Sequence, residues 1–314
     1  VDGHDFDVLR NLASLRARSS GSDSLGWEAQ LWSTVGVHRL YDGFRSEDWS
    51  SGGRAELTWQ APTWRLLGGL AFEHVDGDVS NIVSGEALAV EAQSHGGVYV
   101  EGELALWERL HLMAGARAHA SWTWGFTWLA KAGAQLDLPA GFAFRGRFAR
   151  NLRQPTLREL YLPFPVANPE LQPELAHNLD GGISWSHEPL SLGLSLFRSA
   201  AEELIKSFGA WPSAELVNID ALSVWGIEAN ARLSELGPLD VAVSYAWQDV
   251  GRFTRQNPEH KLDAQLGASI AFGDDLLRVE LGSAWVGGLY QKDYHREPLD
   301  DVFLLDGSLR YRTS

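Results

Sequence analysis

Apolar and polar residues alternate with a period of two along almost the whole chain. Val98, Val100, Gly102, Leu104 and Leu106 share one face of an extended segment, and Tyr99, Glu101, Glu103 and Ala105 share the other. Trp225, Ile227, Ala229, Ala231 and Leu233 oppose Gly226, Glu228, Asn230, Arg232 and Ser234, and Val241, Val243, Tyr245 and Trp247 oppose Ala242, Ser244, Ala246 and Gln248. Side chains of a β-strand point alternately to its two faces, so this pattern predicts strands with one apolar and one polar side. Fifteen are expected, at about residues 10–20, 26–40, 53–60, 64–75, 93–106, 110–122, 126–137, 142–153, 176–186, 190–199, 220–234, 239–249, 260–272, 276–287 and 301–313. Helical periodicity is weak. Its best candidate, Ala200 to Lys206, is short and falls in an expected loop.

A half-buried soluble sheet and a membrane barrel both alternate in this way. The connections separate them. Brief ones fall at Gln60–Thr63, Trp107–Arg109, Leu138–Gly141, Ser186–Pro189, Glu235–Pro238 and Gly273–Asp275. Long ones are expected at Tyr41–Gly52, Asp76–Glu91, Gln154–Ala176, Ser199–Asp220, Asp249–His260 and Gly287–Asp300; the link near Ser121–Gly125 is brief in a long position. Tight turns on one side and longer loops on the other are the layout of a transmembrane β-barrel. A propeller would repeat a blade motif every ~40–50 residues, and none is visible. Bacterial barrels close with an even number of strands, so an odd count reads as an internal piece of a larger barrel. The chain begins at Val1, which suggests a processed chain or a fragment.

Composition sharpens this. Fourteen Trp suit aromatic girdles around a lipid-facing band, and 32 Gly suit a curved sheet with tight turns. No apolar run approaches the ~18–20 residues of a membrane helix. A net charge of −15 argues against nucleic acid as a partner. The absence of Cys removes disulfide, zinc-thiolate and Cys-nucleophile chemistry.

The most distinctive stretch is Leu152 to Glu174. Pro155 fixes its own φ and holds Gln154 extended, so the preceding strand stops there. Thr156 can cap a short turn that Leu157, Leu160 and Tyr161 pack down, and Pro163, Pro165, Pro169 and Pro173 exclude helix and ladder beyond it. The segment Leu152–Tyr161 (LRQPTLRELY) resembles the FRAPTLxELY signature of TonB-dependent outer-membrane receptors, and Asn168–Glu174 (NPELQPE) resembles their GNPxLxPE. Leu152 stands where the family has Phe, and Ala167 where it has Gly. Gly97–Glu101 through His111–Arg117, Ser195–Arg198 with Glu203–Ile205, Asn218 with Gly226–Glu228, and Asn257–Lys261 also resemble family segments, so the likeness covers about residues 95 to 270. The resemblance implies an all-β fold, an antiparallel transmembrane β-barrel, with these strands as strands six to twenty of a 22-stranded barrel. Residues 1–314 would be a partial barrel domain, without the plug domain and without the last hairpin. It further implies a place in the bacterial outer membrane among its lipids. The function implied is energised uptake, through a plug and TonB, of a large scarce nutrient such as a ferric siderophore or cobalamin. No cofactor and no covalent chemistry are implied.

The chain carries no phosphate loop, HExxH, GxSxG or EF-hand pattern. Asp2–Asp7 and Asp76–Asp78 have the oxygen density of a weak calcium loop, but acidic turns are commoner. His111 and His119 fall on the polar face with Arg117 and read as lumen histidines. Glu101, Glu103, Arg145, Arg147, Glu228, Arg232, Arg278 and Glu280 read as a solvated, charge-paired lumen wall. Aromatic and cationic loop residues suit an anionic chelate or a large planar ligand. Trp49, Arg153, Tyr161, Trp211, Tyr290 and Tyr294 are the expected contacts, against the plainer reading of each as a girdle or loop-packing residue. A passive porin-like channel and a soluble β-rich binding module remain as alternatives.

Overall fold

A computed structural model describes residues 6–19, 24–161, 167–209, 214–249, 251, 257–272, 275–291 and 297–313. The strands are β1 (Phe6–Arg18), β2 (Leu25–Leu40), β3 (Phe44–Ala61), β4 (Trp64–Asn81), β5 (Glu86–Leu106), β6 (Leu110–Ser121), β7 (Gly125–Asp137) and β8 (Phe142–Arg153). After a short helix α1 (Leu157–Tyr161) come β9 (Glu174–His187), β10 (Leu190–Phe208), β11 (Glu215–Leu236), β12 (Leu239–Asp249), β13 (His260–Phe272), β14 (Asp275–Gly287) and β15 (Val302–Arg312). All fifteen form one sheet in sequence order, each antiparallel to the next. Among the described residues β1 and β15 are paired on one side only. The expected fifteen strands are present.

Three expected long loops are largely strand. β3 starts at Phe44, β4 runs on to Asn81, and β5 starts at Glu86. The β10–β11 ladder continues to Phe208↔Glu215 and absorbs the helical candidate Ala200–Lys206. Asp76 and Asp78 likewise sit in a ladder, opposite Ala92 and Val90, and not in a turn. The reason is physical. Alternation of hydrophobicity records a face in contact with something apolar; beyond that band, backbone pairing continues with polar residues on both faces.

The register sorts the side chains. The row Leu57–Gly68–Val100–Ala116–Ala130 is apolar; the neighbouring row Thr58–Leu67–Glu101–Gly115–Lys131 carries the charges. Val98 is 59% exposed and Val100 47% exposed, so the apolar residues do not form a packed interior. The polar face is concave. A hollow of about 1070 Å³ spans β3 to β8 on that side, lined by Arg65, Glu103, His111, Gln135, Arg145 and Arg147 among others.

The outward face has two aromatic belts. Trp27, Trp59, Trp64, Phe142 and Trp185 lie near the short turns, with Trp59 and Trp64 edge to face at 5.0 Å. Phe72, Trp122, Trp128, Trp225 and Trp247 lie towards the other end, with Trp225 and Trp247 edge to face at 4.8 Å. Following one pairing row outward from Trp59 gives Leu66, Gly102, Ala114, Ala132, Phe148, Leu179, Arg198 and finally Trp225. A row that starts in one belt ends in the other, so the strands are tilted. At ~4.8 Å per strand and a tilt of ~40°, these steps climb ~25 Å, the height of the apolar band of a barrel in a bilayer.

Gly69 shows how the concave wall accommodates long side chains. A Cβ there would lie 2.5 Å from the Tyr99 ring. Tyr99 crosses this glycine and donates its hydroxyl to Glu56 Oε1 at 2.7 Å.

Val100 lies midway between the belts and Ala120 near the loop-side one. Val100→Arg is expected to destabilise the protein refolded into phospholipid vesicles by about 2–4 kcal/mol, and Ala120→Arg by about 1 kcal/mol or less. Denaturant unfolding measures both; equal costs at the two heights would sink the band assignment.

Candidate functional site: the charged inner wall and its docked loop

The concave wall is laced with ion pairs that run across strands. Glu28 accepts from Arg16 at 2.5 Å and from Arg54 at 3.0 Å. Lys131 Nζ donates to Glu101 at 2.5 Å, and Arg147 Nε to both oxygens of Asp180 at 3.1 and 3.0 Å. Glu280 accepts from Arg278 Nε at 2.7 Å and from the Ser308 hydroxyl at 3.0 Å, with Arg310 at 3.7 Å. These are the residue types expected of a solvated lumen wall. The pairs are open to solvent, which screens them, so each adds little to stability by itself. Arg145 has no such partner among the described residues. Nor do the described residues bring together three metal-ligating side chains.

The tightest packing lies at the rim. Thr156 and Glu159 form a reciprocal cap on α1: the Glu159 N–H donates to Thr156 Oγ1 at 3.2 Å, and Glu159 Oε2 accepts the Thr156 N–H at 2.8 Å. Leu160 (1% exposed), Leu171 (0%), Ile205 and Leu216 form a buried cluster, with Trp124 and Tyr161 against it. Trp124 Nε1 donates to the Leu171 carbonyl at 3.0 Å. Burial of a leucine side chain is worth about 1.5–3 kcal/mol, enough to hold a loop of this length down. Leu157 reaches the inward side of β4, 3.5 Å from where a Cβ on Gly77 would lie, so α1 lies over the concave wall.

Two polar clamps complete the docking. Arg153, at the end of β8, donates to Glu159 at 3.1 Å and to Glu174 Oε1 at 2.7 Å, and the same Glu174 oxygen accepts the Ile205 N–H at 2.9 Å. One cation therefore joins the loop's first turn, the start of β9 and the extended β10. Asn218 on β11 accepts from Gln172 N–H at 2.8 Å and donates to the Gln172 carbonyl at 2.9 Å, which mimics a ladder pair. Asn168 donates to the Leu216 carbonyl at 2.8 Å and caps Glu170 N–H at 2.9 Å. Beneath the loop, His119 is buried; its Nε2 lies 3.1 Å from the Gln154 amide nitrogen, and its Nδ1 has no partner among the described residues.

Of the six expected ligand contacts, the four among the described residues stand in separate surroundings. Trp49 is on the outward face, donating to Ser33 Oγ at 2.8 Å and edge-on to His74 at 5.8 Å. Arg153 is engaged by two carboxylates, and Tyr161 packs on the rim cluster. Tyr290 is half-buried and bridges to Pro298. Trp211 and Tyr294 lie outside the described residues, as does most of Asp2–Asp7. Sequence reasoning passed over Trp124 and Gln172, whose partners lie far along the chain. Thr156 and Glu159 carried a local signal, the Thr-x-x-Glu spacing of a capping box.

A tilted antiparallel sheet with a charged concave wall, an apolar convex belt and a loop folded over its rim is an arc of a large transmembrane β-barrel. The family model "TonB dependent receptor-like, beta-barrel" matches residues 4–314, and the chain belongs to that family. Among solved structures it is similar to the copper transporter OprC (17% identity, TM-score 0.73, covering 97% of this chain and 57% of that one). It is also similar to the siderophore receptor PirA from Pseudomonas aeruginosa (16%, 0.72, 96% and 58%). A mutant of the ferric enterobactin receptor PfeA from the same organism matches too (14%, 0.76, 96% and 53%). These likenesses are of fold. The chain spans just over half the length of each.

The Glu159 carboxyl is pushed up by burial, but the hydrogen bonds from Arg153 and Thr156 outweigh that and hold it below its ordinary value of 4.5. A lowered carboxylate contributes stability that is full above the unfolded value and is lost as pH falls through the folded one. Hydrogen-exchange protection of the Leu160 and Asn168 amides, corrected for intrinsic rates, is expected to be flat above about pH 5 and to fall below it. Glu159→Gln should remove that dependence, and Arg153→Ala should lower protection about tenfold at neutral pH. Unchanged protection in both variants would refute the clamp.

Proposed function

We propose that this chain forms most of the barrel wall of an outer-membrane TonB-dependent transporter. The transporter binds a large scarce nutrient from outside, of the ferric siderophore or cobalamin kind, and moves it inward past a plug coupled to TonB. The observation that carries this reading is the loop clamped over a charged concave wall. A wall of paired charges facing a wide lumen suits a removable polar stopper, and a rigid rim suits capture of a ligand larger than a porin solute. No step requires covalent chemistry; the barrel's part is to bind, to enclose and to give way. Ligand contact falls to the loop aromatics Tyr161, Trp211, Tyr290 and Tyr294. Trp49, on the outward face, suits the girdle, and Arg153 the clamp. A passive channel would carry the same alternation without needing a plug.

In cells making the full-length protein under iron limitation, accumulation of a labelled ferric siderophore or cobalamin is expected to stop when TonB is removed, while surface binding persists. Uptake that continues unchanged without TonB would favour the passive channel.

A further inference from the structure

Arg145 on β8 is an unmatched cation in a matched wall. On the concave side of β3 to β8, Arg54 has Glu28, Arg65 has Glu103 at 3.9 Å, Lys131 has Glu101, and Arg147 has Asp180. Arg117 lies 5.7 Å from the Tyr99 ring centre, and Arg153 holds Glu159 and Glu174. Arg145 has no acid and no ring among the described residues. The register explains why. Arg145 is paired with Gln135 on β7 and with Gly182 on β9, so one neighbour is a neutral amide and the other has no side chain. The nearby acids are engaged elsewhere. Asp137 accepts the Gln135 amide at 2.9 Å and faces His111 Nε2 at 3.7 Å, and both oxygens of Asp180 meet Arg147 Nε.

Arg145 is exposed and lines the hollow of about 1070 Å³ on the concave side. That volume is at the upper end of the ~300–1,000 Å³ of sites that enclose a small molecule. The hollow opens at the turn-side mouth, because Gln60, Pro62 and Thr63 of the β3–β4 connection also line it. Ser24, Gln60, Thr63 and Gln135 bring neutral hydroxyls and amides, which suit the backbone of a peptide. The one uncommitted charge is the Arg145 guanidinium. Its planar fork presents two parallel N–H donors that match a carboxylate. A free phosphate carries close to two negative charges and would meet a single uncommitted cation here. A lone carboxylate balances the site.

We propose that this hollow seats an acidic turn of the plug, held by a two-pronged bond from Arg145 to one Asp or Glu. The inference rests on the plugged-transporter reading given above, in which the plug is sequence outside residues 1–314. This chain covers 57%, 58% and 53% of the solved structures it matches, so proteins of this fold carry a comparable length beyond the part described here. The arrangement suits a stopper that must come away. Arg145 faces an open, solvated mouth, so water screens the bond and replaces it when the turn leaves. The wall stays neutral meanwhile, since its other charges are paired among themselves.

The test is a zero-length cross-link in the full-length protein in detergent. In an Arg145→Lys variant, a water-soluble carbodiimide joins the new amine to a touching carboxylate with loss of water, and peptide mass spectrometry locates the bond. The expected product links position 145 to an Asp or Glu outside residues 1–314. Links only to Glu103, Asp137 or Asp180, or no link, would overturn the proposal. In Arg145→Gln, hydrogen exchange in the linked plug peptide is expected to speed up about tenfold, with the amides of β6 to β9 unchanged; an unchanged plug peptide would also overturn it. Inorganic phosphate bound by the wild type and not by Arg145→Gln, with no cross-link, would give the hollow to a free anion instead. The plug itself is tested apart, with Ala105→Cys in the same hollow, since this chain has no other Cys. Rapid reaction with a bulky maleimide would mean an open lumen and remove the plug reading. Slow reaction without the cross-link would keep the plug and remove only the Arg145 anchor.

Discussion

Hydrocarbon offers no hydrogen-bond partner, and everything in this chain answers to that. A backbone N–H or C=O left unpaired in lipid costs several kcal/mol, so a strand can cross only with a neighbour on each side. The uninterrupted ladder from β1 to β15 meets that demand for every strand between the two edges. Antiparallel order then follows from short connections, and the tilt of the strands lets one pairing row rise from Trp59 to Trp225.

A wall with lipid on one side and a polar lumen on the other has no core in the usual sense. Val98 and Val100 are exposed because the bilayer, not protein, would cover them. Among the described residues the buried hydrophobic cluster lies at the rim, where Leu160, Leu171, Ile205 and Leu216 meet. There the described ends of the loop after β8 are packed down by Leu160 and Leu171. Arg153, Glu174 and Asn218 tie β8, β9, the loop and the projecting β10–β11 hairpin together.

The two faces handle charge in opposite ways. On the concave wall, glycines such as Gly69 and Gly115 leave room for long side chains of adjacent strands, and acids and bases neutralise one another. On the convex face, Arg150 leans on the Trp128 ring and donates to the Trp128 carbonyl. Inside, acids and bases meet pair by pair; outside, the Arg150 cation rests on a neutral aromatic ring.

The sequence by itself determined the strands, their order and their two faces, because period-two alternation is a local record of what each face touches. It also carried the cap of α1, since Thr156 and Glu159 are three residues apart, and the family, through the order of residues around Pro155. It did not carry the ends of β3, β4, β10 and β11, because alternation stops where the apolar band stops while the ladder goes on. Nor did it carry the grip of Arg153 on Glu174, of Asn218 on Gln172, or of Trp124 on Leu171. Those contacts join residues far apart in the chain, and only the register of one strand on the next, accumulated around the curve of the sheet, decides which of them come within reach.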